Sequence, residues 1–305
     1  MSSKQTLHLY LDIDALCRIR AGQHNFFKRL IRAVRAKGWR VALHETSPVE
    51  RLRAPSRNGR ALFRMEEPTH DGALICRRTY IGPFWHIESS NTRWEWPVAK
   101  ATFPAAEVDR TQADTFVTQW RKRLYPAVNG VPMGEGFVFV PLQGRLTEQR
   151  SFQSLSPVRM LEETLARMPA RQIMATLHPN ETYTPDELAA LEALKARHTN
   201  LTLQRGGSEA LLQACDLVVT QNSSLAFLGY FFAKPALLFA QIDFHHIAAS
   251  VPHLGLDEAF YRVTRLRADY NGYLYWFLQD QAINAGRPEC EEKIITSMRR
   301  GGWPI

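Results

Sequence analysis

An α/β fold of two doubly wound lobes is what the chain predicts, and three observations predict it. The C-terminal half alternates apolar strand candidates with helices that carry their own start signals. The N terminus opens with a β-α-β pattern, and Pro126 to Gly136, with three glycines and two prolines, separates the two halves. Repeated β-α units whose strands are apolar on both faces call for a parallel sheet covered by helices on both sides. A chain of 305 residues, 45% hydrophobic and 22% charged, can bury two cores of ordinary size. The expected lobes are residues 1–131 and residues 132–305.

The first lobe begins with an expected strand from Leu7 to Ile13 and a loop through Gly22. A helix follows from about Asn25 to Lys37, because Phe26, Phe27, Leu30, Ala33 and Val34 share one face and Gly38 supplies the stop. Trp39 to Leu43 then reads as a strand. Pro48 to Thr69 lacks a period and is expected to be mostly loop with a short strand near Ala61 to Met65, and a further short strand, Ala73 to Cys76, comes after it. The aromatic stretch from Tyr80 to Phe103 leads into a helix from Asp109 to Tyr125.

In the second lobe, strand Phe137 to Leu142 precedes a helix capped by Ser156 with Pro157 at its first position. Strand Gln172 to Leu177 precedes a helix opened by the capping box Thr184-Pro185-Asp186-Glu187, with Leu188, Leu191 and Leu194 on one face. Strand Leu201 to Leu203 feeds the helix Ser208 to Cys215, strand Asp216 to Thr220 feeds the helix Ser224 to Ala233, and a fifth strand spans Ala236 to Phe239. The tail from Tyr270 to Ala285 is expected to be one helix rich in aromatics.

Several function classes are disfavoured by composition. Cys17, Cys76, Cys215 and Cys290 have no C-x-x-C spacing, so neither a disulfide framework nor a zinc site is expected. The start, Met1 to Gln5, lacks the apolar run of a signal peptide, and Leu225 to Ile242 is interrupted by Lys234-Pro235, so a cytoplasmic chain without a membrane span is expected. The formal charge of +8 favours anionic partners. Its basic residues are dispersed and accompany no nucleic-acid-binding pattern, which makes nucleic acid an unlikely partner.

In an open parallel sheet, ligands sit at the carboxyl ends of the strands, which directs attention to polar residues just after them. His178-Pro179 ends one strand. Asn222-Ser223-Ser224 follows another and begins a helix, where backbone N–H groups suit a phosphate. Taken singly, each also fits a plainer role: His178 as a surface turn residue and the serines as an N-cap.

The order of these motifs is more specific than any one of them. Val140-Pro141-Leu142-Gln143 with Glu148, Ser156-Pro157, Leu177-His178-Pro179, Ala214-Cys215-Asp216-Leu217-Val218-Val219, Asn222-Ser223-Ser224 and Ala233-Lys234-Pro235 follow one another, with Tyr275-Trp276 later. Phe137 to Phe239 thereby resembles the C-terminal domain of the bacterial capsular polysaccharide β-Kdo transferases, which use CMP-Kdo. The resemblance implies a GT-B-like architecture of two Rossmann-like lobes with a cleft between them, residues 1–131 serving the acceptor and residues 132–305 the donor. It implies transfer of an acidic sugar from a CMP-activated donor to a capsular or surface saccharide or glycolipid. No cofactor beyond that substrate and no metal would be required, and the chain would work in the cytoplasm, with an anionic membrane face as a further partner. Donor contacts would come from Gln143, Arg145, His178, Pro179, Asn222, Ser223 and Ser224.

Departures from the pattern bear on catalysis. Leu228 stands where many GT-B enzymes carry a donor-binding Glu, and Gly144-Arg145-Leu146-Thr147-Glu148-Gln149 offers one carboxylate where the Kdo enzymes carry an acidic pair. Glu148 is then the candidate catalytic carboxylate, and its plainer role is solubility. In the first lobe, His24 loosely fits the place of a catalytic base, and Trp85, His86 and Trp94 are candidate acceptor-stacking residues or simply core. Asp12-Ile13-Asp14 matches a metal-binding DxD only weakly, because that motif goes with a single-domain architecture that the C-terminal half does not support, and a phosphatase nucleophile only weakly, since the chain contains no Asp-Asp pair. A sugar-nucleotide epimerase or hydrolase of the same shape, or a non-catalytic saccharide-binding or assembly subunit, stand as alternatives.

Overall fold

The described residues form twelve strands: β1 Thr6–Leu11, β2 Arg40–Glu45, β3 Arg60–Arg64, β4 Leu74–Arg78, β5 Phe84–Glu88, β6 Phe137–Pro141, β7 Gln172–Leu177, β8 Leu201–Arg205, β9 Leu217–Thr220, β10 Ala236–Leu238, β11 Ala249–Ser250 and β12 Ile283–Asn284. The structure, a computed structural model, describes residues 5–128 and 130–305. The strands form two sheets of six, in two compact units: residues 5–98 with Phe277–Ile305, and Ala99–Trp276.

The first sheet has the order β12-β5-β4-β3-β1-β2. Parallel pairing runs from β2 through β1 and β3 to β4, while β5 and β12 are antiparallel additions. Leu7, Leu9 and Leu11 of β1 are fully buried and meet Phe26, Phe27, Leu30 and Val34 of the helix Asn25–Ala36. His24 at the start of that helix makes no side-chain cap. A cap is worth about 1 kcal/mol, whereas each of four large buried side chains contributes about 2 kcal/mol. Burial therefore decides that the helix forms, and its first turn is left uncapped by its own side chain.

The expected loop after β1 is instead a helix, Ile13–Arg20, because Asp12 caps it by accepting from the Ala15 N–H at 2.9 Å. Asp12 and Asp14 are thus capping and first-turn residues, as their spacing also suits. Phe84–Glu88, not expected as a strand, is buried along its whole length. The tail likewise differs from one helix: Tyr270–Tyr275 is α-helical, Trp276–Gln281 π-helical, and β12 and the helix Cys290–Arg300 follow. Arg29 ties this return into the first unit by donating to Glu291 at 3.2 Å and to the Pro288 carbonyl at 2.9 Å.

Gly59 gives a stability prediction. At φ +137°, a Cβ there would collide with the backbone carbonyl of Thr6, which cannot swing away. Gly59→Ala is expected to cost about 3 kcal/mol. Gly22 has φ +70° and open space around it, so Gly22→Ala should cost only about 1 kcal/mol. Thermal melts of the two variants check the ordering, and equal melting temperatures would refute the steric account.

The second sheet, ordered β11-β10-β9-β6-β7-β8, is parallel throughout. The chain starts at β6, winds outward to β8, then crosses back to β9 and winds the other way, which is the doubly wound order. Val138, Val140, Ile173, Ala175 and Val219 pack with Leu161, Leu165, Leu191 and Leu194 of the helices Pro157–Arg167 and Pro185–Arg197. Ser156 and Thr184 cap these helices as their sequences predict, the latter through a full capping box. Leu188, expected in the core, is 40% exposed, and Glu187 takes the buried position instead.

The division near Val131 falls inside the second unit. The helix Arg110–Leu124 is fastened there: Asn271 donates to Asp114 at 2.7 Å, the Tyr275 hydroxyl to Gln112 at 3.0 Å, and Arg121 to the Phe231 carbonyl at 2.7 Å. Glycine and proline mark a flexible local sequence, but side-chain contacts decide which core a segment joins. The helix Ser224–Gly229 is also shorter than expected, tightening to a 3-10 turn at Tyr230–Phe232 before Ala233 adopts a left-handed φ of +52°.

Candidate functional site

The carboxyl ends of β7, β8 and β9 open into one cavity of about 800 Å³. His178, Pro179, Ser223 and Ser224 all line it, so four residues from two distant motifs meet there. His178 is exposed at the strand tip. Its backbone N–H donates to the Tyr183 hydroxyl at 2.8 Å, and its Nδ1 accepts from the Asn180 N–H at 3.2 Å. Acceptance at Nδ1 puts the proton of the neutral imidazole on Nε2, making that atom a donor. Burial first, and a nearby Glu181 as well, raise the pKa of the Tyr183 phenol, so the phenol keeps its proton at neutral pH.

Ser223 is the N-cap of Ser224–Gly229, its Oγ accepting from Leu225 N–H at 3.3 Å. Ser224 is exposed. The third wall was not foreseen from sequence. Gly206 and Gly207, at φ +75° and +70°, turn the chain after β8 into the helix Ser208–Ala214, and Ser208 and Glu209 also line the cavity. The Ser208 hydroxyl lies 3.3 Å from that of Thr176 at the end of β7. A strand followed by Gly-Gly-Ser at a helix start was the available signal; it repeats the logic of the serine motif.

Other expected donor residues are not among those lining this cavity. Asn222 is 9% exposed and donates to the Gln241 carbonyl at 3.4 Å, which holds the β9 loop in place. Gln143 follows β6, and its buried Oε1 has no hydrogen-bond partner. Arg145 stands at a left-handed φ of +60° and pairs with Glu148 at 3.2 Å, both side chains more than half exposed. Such a surface pair is worth at most about 1 kcal/mol. Glu148 is therefore a solvent-facing partner of Arg145 here.

The first-unit candidates separate. His24 and Trp85 line a smaller pocket of about 240 Å³. Trp85 is 4% exposed and stacks on Phe26 with centroids 4.3 Å apart, and His86, 3% exposed, lies between Trp96 and Phe277. His86 is a core residue in this setting, not an open stacking platform, while Trp94 is half-buried in the short turn Arg93–Glu95. Among the described residues no group of three His, Cys, Asp or Glu is placed to hold a metal ion. The four cysteines are unpaired.

Histidines set an acid limit on stability. Burial holds His24, His44, His70 and His245 below the ordinary imidazole value of 6.5, with neighbouring Arg18 and Arg57 adding to the effect at His24 and His44. These rings resist protonation when folded, so the unfolded chain binds more protons below that value. The contribution of these four rings to stability is present above about pH 6.5 and is lost as the pH drops through the depressed folded values. His245, whose Nδ1 lies 2.8 Å from the Ile242 carbonyl, stacks on His253 with centroids 4.3 Å apart. His245→Asn should flatten the fall in melting temperature between about pH 7 and 5.5; an unchanged slope would exclude His245 as a contributor.

Two Rossmann-like units, each a six-stranded, mostly parallel sheet with helices, make a GT-B-like fold. No protein-family model matches the chain, and no curated protein matches it. Among solved structures it is similar to the β-Kdo 2,7 transferase of Thermosulfurimonas dismutans KpsC, at 14% identity and a TM-score of 0.54, covering 98% of this chain and 100% of that one. The β-Kdo 2,4 transferase of the same KpsC follows at 12% identity and a TM-score of 0.49, covering 88% and 89%. At these identities the likeness is one of fold. That likeness of fold covers nearly the whole chain.

Proposed function

We propose that this chain is a glycosyltransferase whose second unit binds the nucleotide of a CMP-activated acidic sugar, Kdo, for transfer to a capsular or surface saccharide or glycolipid. One observation carries the reading. A donor Nε2–H at His178, the Gly206-Gly207-Ser208 turn and the Ser223-Ser224 turn line one cavity at the carboxyl edge of a doubly wound sheet. Such an edge is where a departing nucleotide phosphate is best stabilised, because oriented N–H donors meet the negative charge as it grows. On this reading the donors of the chain itself, rather than a metal ion, meet that charge. Glu209, on the same wall, suits ribose hydroxyls, a role that Leu228 cannot fill. The positive net charge matches an anionic donor and an anionic membrane face. No helix among the described residues is long and apolar enough to cross a membrane.

The position of Glu148 favours a second reading, in which the unit binds the nucleotide without transferring the sugar. Incubation with CMP-Kdo, with and without a saccharide acceptor and with a chelator present, separates the two. Acceptor-dependent CMP release supports transfer; a thermal shift with CMP but no release supports binding alone. Neither shift nor release would end both readings.

A further inference from the structure

The first unit gathers three arginines around one pocket. Arg18, Arg64 and Arg78 line it together with His24, and the first turn of the helix Asn25–Ala36 opens onto it. Like charges held at one place repel, and the repulsion is relieved only by counter-charge. The available counter-charge is partial. Asp12 pairs with Arg64 but also caps the helix Ile13–Arg20, and Asp14 reaches Arg18 only at 3.9 Å with both side chains exposed. Arg78 forms no ion pair among the described residues.

Two polar atoms at this place are buried without hydrogen-bond partners, Arg64 Nε and His24 Nδ1. Native structures rarely leave such atoms unpaired unless a ligand or solvent completes them. The uncapped start of a twelve-residue helix adds a further favourable end for an anion. Trp85 and Phe26 supply an apolar wall. At about 240 Å³ the space is smaller than the roughly 300 Å³ at which drug-sized ligand pockets begin, and it suits one sugar ring with an acid group.

We propose that this pocket binds an oxyanionic group, a carboxylate or phosphate, carried on a saccharide-sized ligand, with Arg18, Arg64 and Arg78 as its charged contacts. The site belongs to the first unit and does not depend on how the cavity of the second is read. Calorimetric titration of the full chain at fixed ionic strength tests it with inorganic phosphate and with glucuronate, glucose serving as the neutral control. At least one anion binds and glucose does not; which anion binds identifies the phosphate or the carboxylate as the source. Arg78→Ala weakens that binding about tenfold or more. Should Arg78→Ala lower the melting temperature, the exposed Arg18→Ala is read in its place. Failure of both anions to bind overturns the site. So does binding that survives Arg78→Ala and Arg18→Ala.

Discussion

Replacing Glu187 with alanine is expected to destabilise the second unit by about 3 kcal/mol. The side chain is 6% exposed and does two jobs. Oε2 accepts from the Thr184 N–H at 2.8 Å, closing the capping box that Thr184 Oγ1 completes by accepting from Glu187 N–H at 3.2 Å. Oε1 accepts from the N–H of Leu146, a fully buried residue in the loop after β6. Alanine would remove half of the box, worth about 1 kcal/mol, and leave the Leu146 N–H unpaired, at about 2 kcal/mol. Glu187→Gln keeps one acceptor oxygen and should lose about half as much. Urea unfolding gives the magnitudes, and amide exchange at Leu146 separates the two contributions. Undiminished protection at Leu146 in Glu187→Ala would show that the carboxylate does not hold the loop.

His178→Ala should weaken CMP binding by about ten- to a hundredfold, the loss of one hydrogen bond to a charged phosphate. Because the imidazole is exposed, the melting temperature should move little, by the equivalent of at most about 0.5 kcal/mol. That split distinguishes a ligand contact from a structural histidine, which would affect both. Tyr183→Phe offers a graded companion, since its hydroxyl accepts from the His178 N–H and fixes the tip of β7. It should reduce affinity by about threefold, through loosened positioning alone. A His178→Ala protein that binds CMP as the parent does would remove the imidazole from the phosphate site and leave the cavity reading without its main donor.

Much of the second unit was legible because its signals are local. Ser156-Pro157 and Thr184 to Glu187 start helices by hydrogen bonds that reach only three residues, and strands apolar on both faces announce a covered parallel sheet. The His178 and Ser223-Ser224 positions were legible for the same reason, as strand ends in a fold whose ligands sit at strand ends. The Gly206-Gly207 turn carried an equally local signal in positive-φ glycines before a helix.

Other features had no local cause. Whether Glu187 or Leu188 faces inward depends on a rotation of one residue about the helix axis, settled by the Leu146 N–H arriving from a loop 41 residues away. Whether Arg110–Leu124 belongs to one unit or the other depends on Asp114, Gln112 and Arg121 finding partners more than a hundred residues later. The gathering of Arg18, Arg64 and Arg78 is likewise invisible in sequence, where they are dispersed charges. The sequence by itself determined the β-α order, the helix starts and the strand-end position of His178, because hydrogen bonds within a few residues and the apolar period specify them. The tertiary structure alone decided which segments share a core, which carboxylate is buried and which arginines converge, because those outcomes rest on contacts between groups that the chain order keeps far apart.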